Sequence, residues 1–284
     1  MDQRSTFRVQ THILKPKIYK NLAAVREHDF KHQFWKWRWI QDVWSFYSSI
    51  ATSEQAGESG VQIMSGYLLS DEEPQGRLYE DFVFSHRKMS REEKDRLNFG
   101  KYKFGYHVTT IVATVRKYYT WHMKRFLDNG GILQQRKVHS LEEFVGQCDV
   151  VVNCTGLGSR ELVGDSAVHP VRGQVVRDVI VLGGCLQPNN YSLINSKEDT
   201  VDILKRCYEL LPSLKGSQIE DVWTGLRPLR TPLRVEKEIV EFQSGHLKVV
   251  HNYGHGASGI TLSWGTSLEA ADLVRDMCRT TAKL

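Results

Sequence analysis

The stretch Asp149-Val150-Val151-Val152-Asn153-Cys154-Thr155-Gly156-Leu157-Gly158-Ser159 decides the fold class of this chain. An apolar β-branched run that ends in a glycine-bearing turn is typical of a buried parallel strand whose carboxyl end reaches a ligand crevice. The stretch therefore predicts an α/β protein. Cys154 continues the apolar run, so we expect it to be a small buried thiol.

Predicted strands and helices flank this stretch on both sides. Alternation of apolar and polar residues indicates strands, and apolar residues at three- and four-residue steps indicate helices. The predicted strands are 61–67 (half-buried), 175–176, 179–182 and 246–252. The predicted helices are 34–50, a short helix after the capping residue Ser90, 114–127, 197–211 after the capping residue Ser196, and 260–278. The sheet is therefore expected to have two regions.

The composition is that of a globular chain with about two domains. Of the 284 residues, 40% are hydrophobic and 25% are charged, which excludes disordered and fibrous classes. No apolar run approaches the roughly 20 residues of a membrane helix, and the net charge of +5 is spread too evenly for a nucleic-acid interface. We expect a soluble protein without a membrane span or nucleic-acid partner. The five cysteines form no C-x-x-C pair and should be reduced thiols.

Residues 254–259 (Gly-His-Gly-Ala-Ser-Gly) match the G-x-G-x-x-G pattern between a predicted strand and a predicted helix. Such a turn lets backbone amides approach a ligand, and the following helix N-terminus favours negative charge. A nicotinamide fingerprint is not expected, because the acidic residue for the ribose would fall near Arg279 at the end of the chain. Two interpretations remain open, a helix N-terminus directed at another electron-rich group and a tight packing turn.

Residues 225–234 (Gly-Leu-Arg-Pro-Leu-Arg-Thr-Pro-Leu-Arg) carry three arginines on a backbone stiffened by two prolines. A guanidinium held in place can form a bidentate pair with a carboxylate. Arg227 stands between Leu226 and Pro228 and is expected to point inward. Arg230 and Arg234 are interpreted as solvated loop arginines.

Two other classes of site find little support. The spacing of His251 and His255 could suggest metal ligands, but the glycine turn breaks the helical face that such a pair needs, and no metal is expected. The sequence contains no G-x-S-x-G elbow and no coherent serine or cysteine triad, so a hydrolase is not expected.

Several blocks together carry a family resemblance: 153–162, 170–175, 225–228 and 251–256, with 57–66 and 87–89. In order and spacing they resemble the D-amino-acid oxidase family of FAD-dependent enzymes, from about residue 33 to the end of the chain. Residues 157–160 and 164–166 resemble the branch that acts on D-aspartate.

The resemblance implies an incomplete FAD-binding, Rossmann-like domain interleaved with a mixed-sheet substrate-binding domain. Residues 1–32 have no family match and no glycine, so the N-terminal dinucleotide-binding unit of the family is absent. An internal segment is also missing after Arg177, where the family carries an active-site tyrosine and, in this branch, an arginine for the side-chain carboxylate. The implied segments are 33–135 (substrate domain and helices), 136–170 (FAD domain), 171–235 (shortened substrate domain) and 236–284 (FAD domain).

The resemblance also implies an activity, the oxidation of a D-amino acid by FAD and dioxygen to a 2-oxo acid, ammonia and hydrogen peroxide. The expected substrates are acidic, D-aspartate or D-glutamate. Arg227 would bind the α-carboxylate, and Ala257 would lie near the substrate amine. The residues that would line FAD are Val138, Thr155, Gly156, Gly256, Ala257, Ser258, Gly259, Ile260 and Thr261.

Alternatives to this activity are a catalytically inactive shortened isoform or gene-model fragment, and a related glycine or sarcosine oxidase. The terminal residues Ala282, Lys283 and Leu284 resemble the peroxisomal address Ser-Lys-Leu, which an import receptor reads. The expected location is the peroxisomal matrix, with the cytoplasm as the other possibility, since the N-terminus does not resemble a secretion signal. A homodimer is also compatible with the resemblance.

Overall fold

The computed structural model describes residues 11–13, 30–71, 81–177 and 181–281. The chain divides into two compact units, residues 1–134 and 135–284, and each contains its own β-sheet. Residues 178–180 and the terminal tripeptide 282–284 lie outside the described residues, as does most of the segment 1–32.

Helix α1 (Phe30–Ala51) is the long helix of the first unit. Its buried residues recur at helical spacing: Trp39, Ile40, Val43, Tyr47 and Ile50. The predicted amphipathic helix is confirmed, and the aromatic stripe is core packing along its described part. The side chains of Phe34 and Trp35 lie outside the described residues.

The first unit contains a four-stranded antiparallel sheet with β4 (Phe104–Thr114) at its centre. Strand β2 (Val61–Ser70) pairs along one edge of β4, and β1 (Thr11–Ile13) and β3 (Ser85–Lys88) pair along the other. The predicted strand at 61–67 is confirmed. Its expected half-burial is wrong, because Ile63, Met64 and Tyr67 are all exposed.

Two of the remaining helices of this unit begin or end at predicted signals, whereas the first lies in a segment for which no helix is predicted. Helix α2 (Ala56–Ser59) is short, and α3 (Arg91–Arg96) begins after Ser90, whose hydroxyl accepts a hydrogen bond from the Glu93 amide. Helix α4 (Val115–Asp128) ends before Gly130, which has a φ of +86°. Glycine adopts this left-handed conformation without the Cβ penalty of other residues.

The second unit is built on a six-stranded mixed sheet. Its strands are β5 (Val151–Asn153), β6 (His169–Arg177), β7 (Val181–Leu182), β8 (Gln187–Pro188), β9 (Asp221–Phe242) and β10 (Gly245–His255). The order is β5-β10-β9-β6-β7, with β8 also on β6. Strands β5 and β10 are parallel, and the other pairs are antiparallel.

The predicted parallel strand is confirmed as β5, but its burial is not. Val152 is 44% exposed and Cys154 is exposed. Strand β10 covers one edge of β5, and no described strand pairs with the other edge. Val152 and Cys154 alternate with Asn153, which is 2% exposed, so they lie on the face of this segment that the described residues leave uncovered, and the expected burial of Cys154 is wrong. All five cysteines are free thiols, as expected.

Two long helices pack against this sheet. Helix α6 (Lys197–Leu210) begins after Ser196, as predicted, and Ile203 packs with Val176 and Leu182. Helix α7 (Gly259–Thr281) follows β10 after the turn 256–258, and Ala270 and Met277 pack on Val250. A third cluster lies around Leu141, Leu247 and Val249. The short helix α5 (Ser159–Leu162) follows β5.

Within the described parts of the chain, the helices are too short or too polar to cross a bilayer. The same residues contain no cluster of three or more His, Cys, Asp or Glu side chains suited to a metal ion.

Candidate active site

Arg227 lies on β9 where this strand pairs with β6. Its register partner is Val171, and Gly225 stands opposite Gly173. The guanidinium lies over Gly173, because a Cβ atom built there would fall 1.9 Å from Arg227 Nη1. The Trp223 ring lies over Gly225 in the same way. The glycine pair, which we call the glycine floor, therefore leaves room on one face of the sheet for the Arg227 guanidinium over Gly173 and for the Trp223 ring over Gly225.

Arg227 is half-buried, in line with its expected inward orientation, and its guanidinium forms no ion pair with a carboxylate of the described residues. Its Nη1 atom has no hydrogen-bond partner among the described residues. Burial lowers the pKa of Arg227, although a guanidinium stays protonated in proteins. A buried charge without a partner is costly, so it usually marks a position where a ligand brings the opposite charge. A carboxylate matches this donor.

The interpretation of Arg230 and Arg234 as solvated arginines is wrong. Arg230 Nε lies 2.7 Å from Asp165 Oδ2, and the Arg230 side chain is 22% exposed. Arg234 is 15% exposed, and its Nη1 donates to the Tyr253 hydroxyl at 2.9 Å. The physical reason is that both residues lie on the part of β9 that pairs with β10, where Arg234 stands opposite Tyr253. The sequence predicts a loop at residues 230–234, where the structure has a strand.

The other face of the β6–β9 pair is held by a second buried arginine. Arg172 is 2% exposed, and its guanidinium donates to Asp199 Oδ2 at 2.6 Å and to Gln174 Oε1 at 2.8 Å. It also donates to the carbonyl oxygens of Ser192 and Ile194. Unlike Arg227, this cation has a full set of partners, so it fixes β6 against α6 behind the glycine floor. The sequence offered no signal for it beyond the block 170–175.

Two glycine turns pack against the residues that follow Arg227. Gly156 has a φ of +58°, and a Cβ there would lie 3.2 Å from Pro228 Cγ. Gly256 has a φ of +56°, and a Cβ there would lie 2.8 Å from Leu229 Cδ1. The structure thus brings Thr155, Gly156 and the turn 256–258 to the segment beside Arg227.

The packing interpretation of the turn 254–259 accounts for two of its glycines. A Cβ at Gly254 would lie 2.6 Å from Arg230 Cβ, and a Cβ at Gly256 would lie 2.8 Å from Leu229 Cδ1. Gly259 has no such contact, since the nearest atom, His255 Cβ, would be 3.9 Å away. It begins α7, whose first turn includes Ile260 and Thr261. The positive end of the helix dipole at this N-terminus favours an anionic group.

The two histidines near the turn bind other side chains. Burial lowers the pKa of His255 to about 4, and its Nε2 lies 3.2 Å from Thr266 Oγ1. His251 lies between Asn153 and Glu238. Val138 precedes the 3₁₀ turn Leu141–Phe144, and no described contact links it to the glycine turns.

These residues fit the flavin end of an FAD molecule. The two turns and the N-terminus of α7 offer backbone amides beside Arg227, and the buried acceptor Asn252 Oδ1 has no hydrogen-bond partner in the described part of the chain. Thr155, Gly156 and residues 256–261 would hold the cofactor. No second G-x-G-x-x-G turn for the pyrophosphate occurs in the sequence, so this fit covers only one end of FAD.

Comparison with known proteins gives the family. The family model for FAD-dependent oxidoreductases (DAO) matches residues 19–178 and 177–273. The two matches meet where the sequence indicates the internal loss, and the first begins within the segment 1–32.

Among the relatives, human D-aspartate oxidase is 36% identical over 264 residues, covering 84% of this chain and 77% of that one. The D-amino acid oxidase of Dugesia ryukyuensis is 31% identical over 301 aligned positions, covering 94% of this chain and 89% of the relative. Because 301 exceeds the 284 residues of this chain, the relative contains segments without a counterpart here.

The solved structures confirm the fold class. Glycine oxidase from Geobacillus kaustophilus superimposes with a TM-score of 0.63 at 17% identity, over 83% of this chain and 78% of that chain. Glycine oxidase from Bacillus cereus gives a TM-score of 0.58 at 16% identity, over 84% and 80%. At this identity the likeness concerns the fold alone. Together with the family model and the relatives, it establishes that the chain belongs to the DAO family of FAD-dependent oxidoreductases and is an oxidase-like flavoenzyme.

Proposed function

We propose that this protein oxidises D-amino acids, preferentially D-aspartate or D-glutamate, to the 2-oxo acid, ammonia and hydrogen peroxide. The observation that carries the proposal is the buried Nη1 atom of Arg227, which has no hydrogen-bond partner among the described residues and lies beside the two glycine turns. The names of the relatives support the substrate class, since they include D-aspartate oxidases from human and Caenorhabditis elegans.

Arg227 binds and orients the substrate in this account. Its two terminal nitrogens donate to both oxygens of the α-carboxylate, and the ion pair removes the cost of the buried charge. The absence of a Cβ atom at Gly173 leaves space for the guanidinium itself, and the Trp223 ring occupies the corresponding space over Gly225. A substrate held by its carboxylate has its α-carbon at a fixed distance from the guanidinium.

The glycine turns and helix α7 serve the cofactor. The chemistry that FAD would supply when bound is the uptake of a hydride from the substrate Cα, while the amine loses a proton and the Cα–N bond becomes a C=N bond; dioxygen would take up the two electrons and two protons as hydrogen peroxide. Water then hydrolyses the imino acid, so the net reaction consumes dioxygen and water. The N-terminus of α7 favours negative charge near residues 259–261, because the dipole of a 23-residue helix is positive at that end.

Peroxide release tests the proposed substrate class. Purified protein incubated with excess FAD is expected to form hydrogen peroxide with D-aspartate and D-glutamate, and more slowly with neutral D-amino acids such as D-alanine. L-Aspartate is the matched control for stereochemistry and should give none. Faster turnover of glycine or sarcosine would assign the chain to the secondary-amine and glycine oxidases instead. Absence of peroxide with every substrate would support the inactive isoform.

We also propose import into peroxisomes through Ala282, Lys283 and Leu284, where the peroxide would be consumed. A fluorescent protein fused to the N-terminus should form peroxisomal puncta, and deletion of Leu284 should make the signal diffuse. Diffuse signal for the intact chain would contradict this proposal. A homodimer is compatible with the same location.

A further inference from the structure

A closed set of hydrogen bonds lies directly behind the Thr155–Gly156 turn. Asn153 ends β5, and His251 is its register partner on the parallel strand β10. Asn153 is 2% exposed and His251 is 0% exposed. Asn153 Oδ1 accepts from the Thr155 amide at 3.1 Å and from the Thr155 hydroxyl at 2.7 Å. Asn153 Nδ2 faces Ser159 Oγ at 3.3 Å and His251 Nδ1 at 3.2 Å.

The donor and acceptor roles in this set are fixed by the Thr155 backbone N–H, which can donate a hydrogen bond but cannot accept one. A backbone N–H only donates, so the side-chain oxygen of Asn153 must face Thr155 and its nitrogen must face His251. His251 Nδ1 therefore accepts, and its proton is on Nε2. This Nε2 lies 2.9 Å from Glu238 Oε2, to which it donates. The set is satisfied only when the imidazole is neutral and protonated at Nε2.

We propose that His251 is a positioning residue for the cofactor turn: through the amide of Asn153 it holds Thr155 and Gly156 in place while its ring is neutral, and it releases them when protonated. Protonation adds an N–H at Nδ1 that faces the N–H groups of Asn153. The amide must then turn or move away, and the Thr155 amide loses its acceptor. The turn that packs beside Arg227 is therefore coupled to a side chain that does not touch the ligand.

The charges around His251 keep its ring neutral near neutral pH. Burial lowers the pKa of His251, the cation of Arg234 lowers it further, and Glu238 and Glu236 oppose this shift; the net pKa lies below the ordinary value. These three charged residues belong to β9. Strand β10 contributes the Tyr253 ring, edge-on at 5.8 Å, and β5 contributes Asn153, which does not titrate. Release of the turn is thus expected only as the pH falls below about 6.5, the ordinary histidine value.

The first test needs no cofactor. In uniformly ¹⁵N-labelled protein, His251 is expected to show the neutral Nε2–H tautomer, and the Thr155 amide resonance should shift with the titration of His251. A Nδ1–H tautomer, or a Thr155 amide that does not respond while His251 titrates, would overturn the proposal. This test remains valid if the protein fails to bind FAD, so it is independent of the proposed function.

The second test rests on the proposed function and measures FAD affinity against pH. His251→Leu removes the acceptor and is expected to weaken FAD binding about tenfold relative to the wild type at neutral pH, the effect of one buried hydrogen bond, and to show no further loss attributable to residue 251 as the pH falls. His251→Asn keeps an acceptor at the position of Nδ1 and cannot be protonated. It should bind FAD as the wild type does at neutral pH and lose the acid dependence attributed to His251.

The matched control is His246→Asn on the same strand, because His246 is exposed. It should leave the affinity and its pH profile unchanged. A purely structural role for His251 would lower the melting temperature of both His251 variants without removing the pH dependence in His251→Asn. That result would contradict the proposal.

Discussion

Replacing Arg227 with methionine is expected to raise the Michaelis constant for a D-amino acid about 100-fold or more. The variant keeps the length of the side chain but removes both donors to the α-carboxylate, and loss of one partner of a buried charge pair typically costs about 2–5 kcal/mol. Steady-state peroxide formation with D-aspartate measures the change. Unchanged kinetics would remove Arg227 from the substrate site.

The same variant is expected to stabilise the protein in the absence of substrate. The buried Nη1 atom of Arg227 has no hydrogen-bond partner among the described residues, and methionine removes this uncompensated polar group without leaving a large cavity. The melting temperature of the substrate-free protein should therefore rise. A rise is expected because residues kept for function often lower the stability of a protein. A fall in melting temperature would show instead that Arg227 stabilises the fold.

Gly173→Ala is expected to weaken substrate binding by displacing the Arg227 guanidinium, without removing it. The added Cβ would overlap the guanidinium, whose atoms lie at the flexible end of a side chain and can move. Substrate affinity should fall while the melting temperature changes little. The control is Gly66→Ala on β2, where an added Cβ meets no atom within 4 Å. Equal effects of the two substitutions on the Michaelis constant would contradict the proposed position of the carboxylate.

Asp199→Ala is expected to lower the free energy of unfolding by about 3–5 kcal/mol, because it leaves the buried Arg172 without its counter-charge. Asp199 Oδ2 accepts from Arg172 Nη1 at 2.6 Å, and Asp199 Oδ1 accepts from Gln187 Nε2 at 2.9 Å. Arg172 is 2% exposed, so water cannot replace the lost carboxylate. Urea unfolding followed by circular dichroism measures the difference.

The control for this prediction lies on the same helix. Asp202 pairs with Arg206 at the surface, where the carboxylate is 63% exposed, and such pairs contribute little. Asp202→Ala should leave the unfolding midpoint almost unchanged. If Asp199→Ala behaved in the same way, Arg172 would not depend on this carboxylate, and the account of how β6 is held against α6 would be wrong.

The elements that the sequence predicted well have local signals. Serine at position 196 begins α6 and the apolar period defines α7, and both depend on residues within a few positions of each other. The inward orientation of Arg227 follows from its apolar neighbours. These features could be predicted because the forces that produce them act within one helix or strand.

The features that could not be predicted depend on pairing between distant segments. Strand β9 has 22 residues and pairs first with β6 and then with β10, so that Arg230 and Arg234, expected to be solvated loop residues, are partly buried strand residues that form ion pairs. The bond from Arg230 to Asp165 spans 65 positions. Similarly, Cys154 is exposed because no described residues cover its face of the chain after β5, which its own apolar sequence does not reveal.

The central claim is that this chain holds FAD and that a D-amino acid reduces it. The visible absorption spectrum of the purified protein, after incubation with FAD and gel filtration, tests this claim most directly. The account predicts a flavin band that elutes with the protein and bleaches when D-aspartate is added without oxygen. A colourless protein would contradict it, and would show that the glycine turns and helix α7 do not suffice to hold the cofactor.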